Sequence, residues 1–96
     1  MGNTGFKFKE KRNAAVFTVK QIMIENKPVL FAAHTKEDGT WQFLSGDLIK
    51  SKDVMVVTLE EIIEKDSSLN ELADLPKGWQ ASRSSLNDNW FRIEVK

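Results

Sequence analysis

Six stretches of the chain alternate or run apolar with strand-like spacing, and between them the spacing changes to that of short helices. "AAVFT" reads as a short strand leading into Thr18. Thr18 has Gln21 three residues later, the spacing at which two side chains bond each other's backbone N–H groups at a helix start. Val19, Ile22 and Met23 then recur at helical spacing until Asn26 and Pro28. "PVLFAAHT" is apolar on both alternations, as expected of a buried strand, and the Asp38–Gly39 pair turns the chain into the return strand "TWQFL". After Gly46, Leu48 and Ile49 are expected to tuck inward. "VMVVTL", residues 54–59, is again apolar on both faces and is expected at the centre of the sheet.

Thr58 with Glu61 and Ser68 with Glu71 repeat the capping pattern. They introduce Ile62–Ile63 and an apolar stripe of Leu69, Leu72, Ala73 and Leu75 that Pro76 ends. "KGWQASR" leads to a strand, and Asn87, Asp88 and Asn89 mark a hairpin turn before "WFRIEV". That last segment alternates cleanly, with Phe91, Ile93 and Val95 expected on the core face and Trp90, Arg92 and Glu94 on the wet face. Paired strands broken by grouped helices predict an α+β domain: a mainly antiparallel sheet of about five strands with short helices on one face.

The 96 residues, 41% hydrophobic and 29% charged, make room for one core. Residues 1–13, rich in Lys, Asn and Gly, read as a flexible basic tail, and residues 14–96 as the domain. Phe6 and Phe8 alternate with Lys7 and Lys9, which leaves a short edge strand open there. Cysteine is absent, so thiolate chemistry and cysteine-held zinc are excluded. No apolar run approaches a membrane span, and the amino terminus lacks the order of a secretory signal, so a cytoplasmic protein is expected. "MGNTGF" has Phe6 where a myristoylation motif requires Ser or Thr.

Formal net charge is zero, which argues against nucleic acid as partner. The charges are nevertheless segregated: residues 1–27 carry about +4 and residues 60–74 about −5. Interleaved Phe and Lys in "KFKEKR" resemble a single-strand binding surface in miniature, but a solvated segment is the plainer reading.

Catalytic chemistry finds little purchase. His34 is the single histidine and has no second ligand at i+4, so neither a metal site nor a nucleophile–base pair is assigned, and no cofactor is expected. No glycine-rich phosphate loop is present. A small-molecule or enzymatic pocket near His34 and Asp47 stays open as an alternative. The preferred contact is a protein partner, met by the aromatic and arginine side chains of the final hairpin: Trp79, Arg83, Trp90 and Arg92. The acidic segment around Glu60, Glu61 and Glu64 would steer the encounter. A homodimer is the other use of such a surface.

"WQFL", the run from "VMVVTLEEIIEK" to "ADLPKGWQASR", and the closing "NWFRIEV" resemble a group of small bacterial proteins of unknown function. These are in turn similar to the immunity-protein-like domain of bacterial toxin systems. The resemblance covers the chain from about residue 28, with "ELADLPKGW" its most specific part. It implies a small cytoplasmic α+β domain, and an immunity role would mean binding and neutralising a cognate toxin.

Overall fold

The hairpin of β2 (Phe31–His34) and β3 (Trp41–Leu44) sets the topology, because its return strand inserts beside β1 (Ala15–Val19). Between β1 and β2 the chain makes one helical turn, α1 (Lys20–Met23). The structure, a computed structural model, describes residues 5–95. β4 (Val54–Thr58) runs into α2 (Leu59–Lys65) and a 3-10 helix, Ser67–Leu72, before β5 (Trp79–Ser82) and β6 (Phe91–Glu94) close the sheet. Strand order is β4-β1-β3-β2-β5-β6. Every neighbouring pair is antiparallel except β1 and β3, which run parallel with Phe17 opposite Gln42. The domain is therefore α+β with a sheet that is mainly antiparallel, as expected, but mixed through the β1–β3 pair and six-stranded where about five strands were expected.

β4 lies at an edge, where Val54 and Val56 are exposed, and not at the centre. Apolar residues on both alternations signal that both faces avoid charge; they do not say that both are covered. Only one face is. On it, Val16, Ala32, Trp41, Phe43 and Ala81 are buried beneath Ile22 of α1, Ile62 and Ile63 of α2, and Leu69 and Leu72 of the 3-10 helix.

A seven-residue helix such as α2 is too short to persist alone, so packing and capping hold it. Glu61 N–H donates to Thr58 Oγ1 at 3.1 Å, and Thr58 N–H donates to Glu61 Oε1 at 2.8 Å. This capping box forms as expected from the sequence; the other two do not. Thr18 is buried and donates its hydroxyl to the Phe43 carbonyl at 2.8 Å, tying β1 to β3. Ser68 lies inside the 3-10 helix, whose N-cap is Asp66. Both hydroxyls found tertiary or neighbouring acceptors that local spacing does not reveal.

Gln21, freed from capping, donates its amide to Asp53 Oδ2 at 2.9 Å, and Lys20 Nζ is 3.5 Å from Asp53 Oδ1. The Gln21 bond, with the charge of Lys20, holds the buried Asp53 carboxyl below its ordinary range. A carboxylate depressed in the folded state stabilises above its unfolded pKa of about 3.9, and that contribution is lost as pH falls through the folded value. Asp53→Asn should therefore be less stable than wild type at neutral pH. In urea titrations the difference should shrink below about pH 4; a gap that persists in strong acid would assign it to packing.

The expected flexible tail is docked where it is described. Phe8 is buried in the core, Lys7 N–H donates to Asn70 Oδ1 at 3.0 Å, and Arg12 pairs with Glu60 at 3.0 Å. The guanidinium of Arg12 also lies 4.7 Å over the Phe6 ring. Residues 6–12 form no strand. Burial of two aromatic side chains outweighs the segment's polar composition. Residues 1–4, with the rest of the expected tail and the myristoylation-like start, and Lys96 lie outside the described residues.

Candidate functional site

The final hairpin does not present its arginine. Arg83 follows β5, its side chain is 1% exposed, and all three of its nitrogens are committed. Nη2 pairs with Asp66 Oδ2 at 2.8 Å, Nη1 donates to Ser68 Oγ at 3.0 Å, and Nε donates to the Val29 carbonyl at 3.0 Å. Its guanidinium lies 4.1 Å over the Trp90 ring, which packs against the core. Trp79 is also half-buried against the core. Arg92 reaches Asp74 Oδ1 at 2.8 Å and the Glu71 carbonyl at 2.7 Å, bolting β6 to the helical layer. Arg92 is the first cause of a lowered Asp74 pKa.

The two faces of β6 are thus the reverse of those expected. Trp90 and Arg92 turn toward the helices, whereas Phe91, Ile93 and Val95 are exposed. Alternation divides a strand into two faces without saying which is covered, and the arginine partners on the helical layer decided it. Among the acids, Glu60 pairs with Arg12, Glu61 completes the α2 cap, and Glu64 is exposed. The structure does not bring these carboxylates and the four hairpin residues into one free contact surface.

The His34–Asp47 pocket does not form. His34 lies opposite Trp41 at one end of the β2–β3 ladder, and Asp47 follows the other end, where Phe31 faces Leu44. The cavities lined by His34 do not include Asp47. His34 is buried, its Nδ1–H donates to the Leu75 carbonyl at 2.7 Å, and its ring stacks 4.1 Å from Trp41. Nε2 sits 3.6 Å from Glu10 Oε2, which accepts the Trp41 indole N–H at 3.1 Å. Asp47 accepts from Ser45 at 3.1 Å and pairs with Lys27 at 3.3 Å. Ser45 and His34 stand apart for the same reason as Asp47, so no nucleophile–base pair is assembled there.

What the fold does assemble is the other face of the sheet. Register places Val56, Phe17, Gln42, Ala33, Gln80 and Ile93 in one row across all six strands. A second row runs Leu44, Phe31, Ser82 and Phe91, with Val54 on the β4 side. None of these side chains is ionisable. Among the described residues no helix covers them: Val56 is 62% exposed and Phe91 67%. Leu48 and Ile49, expected inside, are also exposed, and Ile49 with Val54 walls a groove of 220 Å³ floored by Phe17, Gln42 and Leu44. The signal for this face was present in the sequence: strands apolar on both alternations, with too little helix to cover two faces.

Fold and face together define a two-layer α+β domain with one sheet face packed and the other bare. Comparison of the chain with models of protein families, with curated proteins and with solved structures gives no match. Among the described residues, no group of three or more His, Cys, Asp or Glu could hold a metal ion, and no helix is long and apolar enough to cross a membrane.

Proposed function

We propose that this protein is a non-enzymatic protein-binding module that acts through its open sheet face. The observation that carries the reading is the uncharged row of six side chains from Val56 to Ile93. A monomeric protein rarely leaves a contiguous apolar patch of more than a few hundred Å² in water, and a patch larger than that marks an interaction site. Trp79, Trp90, Arg83 and Arg92 take a supporting part: they clamp β5 and β6 to the helical layer and so hold the far half of the face. The expected resemblance from about residue 28 to small bacterial proteins of unknown function, themselves similar to the immunity-protein-like domain, would belong to the same reading, since an immunity role is one of binding.

A photo-crosslinking residue at position 56 or 93 tests it, with position 64 on the helical layer as control. All three positions are exposed, so the substitution leaves the core intact. Discrete adducts in living cells are expected from 56 and 93 and not from 64. Adducts from 64 alone, or from none of the three, would remove the open face as the site of contact.

A further inference from the structure

We infer that the occupant of the open sheet face is a second copy of this chain, related by a two-fold axis. The inference rests on the reading of that face as a contact surface, and three observations select the partner.

The first is extent. Phe17, Ile49, Val54, Val56, Phe91, Ile93 and Val95 are each 41–67% exposed. Together they present on the order of 600 Å² of apolar side chain, the upper end for the largest patch on a monomer. Half-buried Phe31, Ala33 and Leu44 lie between them. The face thus approaches the roughly 800 Å² per partner of a standard stable interface.

The second is charge. A two-fold axis sets the residues closest to it against their own copies, so one lysine or glutamate there would meet its like. No ionisable side chain occurs in either row, and the whole chain carries no formal net charge. A face shaped for a partner of stated charge would carry the opposite sign, whereas here charge enters only at the rim, where Lys36 and Glu37, one of each sign, line a hollow with Ala33, Gln42, Gln80 and Val95.

The third is the polar chemistry that remains. Gln42 and Gln80 occupy the inner strands of the long row, flanking Ala33. A primary amide both donates and accepts, so it is satisfied by another copy of itself, as neither a carboxylate nor an ammonium is. Two such sheets stack face to face about 10 Å apart with strands inclined by about 30°. The helical layers then face outward, each carrying Glu64.

Sedimentation equilibrium on the full chain, carried up to about 1 mM, reads the outcome. Wild type is expected to show twice the 11.0 kDa chain mass. Gln42→Glu and, separately, Ile93→Lys should shift the equilibrium at least tenfold toward monomer while circular dichroism shows the wild-type fold. Ile93 is 46% exposed on an edge strand, so its variant serves if Gln42→Glu fails to fold. A wild type that stays monomeric throughout overturns the second copy, and so does a dimer indifferent to both substitutions. Should the crosslinks at 56 and 93 then yield adducts of another mass, the binding-module reading survives without it; should they yield none, both fall together.

Discussion

Replacing Arg83 with alanine should remove about 3–5 kcal/mol of folding stability, the cost of stranding one member of a buried ion pair. Asp66, with its side chain only 13% exposed, would lose its guanidinium partner, and the Val29 carbonyl would lose its donor. The Trp90 ring would also lose the cation stacked on it at 4.1 Å. Against a total of about 5–15 kcal/mol for an ordinary domain, that is a large fraction, so a much lower denaturation midpoint is expected in urea. Arg83→Lys should recover little of it, because an ammonium lacks the planar fork that meets a carboxylate, a hydroxyl and a carbonyl at once. A loss below about 1 kcal/mol would place the pair among weak surface bridges. An undiminished fold with abolished partner binding would return Arg83 to the contact surface expected from its sequence context.

That reversal shows where sequence was readable. The α2 start was legible because both halves of its cap, Thr58 and Glu61, lie three residues apart. So was the existence of each strand, which depends on local alternation. What was not legible depends on partners distant in the chain. Arg83 finds Asp66 and Val29, Thr18 finds Phe43, and Arg92 finds Asp74. The two arginine contacts decided which face of β5 and β6 turned inward, and a face error on one strand moves every side chain of it. The hot-spot composition of Trp79, Arg83, Trp90 and Arg92 was real, yet aromatic and arginine side chains suit an internal seam as well as an interface. The bare face went unassigned because its residues, read strand by strand, look like core. Only the six-strand register shows that they form one surface and that α1, α2 and the 3-10 helix Ser67–Leu72 occupy the opposite side.

Trp41→Ala should cost a further large amount, about 3–5 kcal/mol, as expected for a buried aromatic truncated in a packed core. Trp41 is 1% exposed and sits at the junction of two layers. Its ring stacks on His34 at 4.1 Å and on Phe43 at 5.6 Å, and it meets Phe8 edge-on at 5.1 Å. Its indole N–H donates to Glu10. Two of these four contacts belong to the amino-terminal segment, so the lesion has a local as well as a global component. Limited proteolysis by trypsin should cut at Lys9 and Lys11 in the variant under conditions where wild type resists and strands β2 and β3 remain protected from hydrogen exchange. Trp41→Phe separates the contributions: it keeps much of the stacking and removes the Glu10 bond, with an expected loss of about 1–3 kcal/mol. Should Trp41→Ala melt the whole chain with no preferential cutting at Lys9 and Lys11, the segment is held by Lys7–Asn70 and Arg12–Glu60 instead. Early cutting in both variants would assign the docking of residues 7–12 to the indole and its single hydrogen bond.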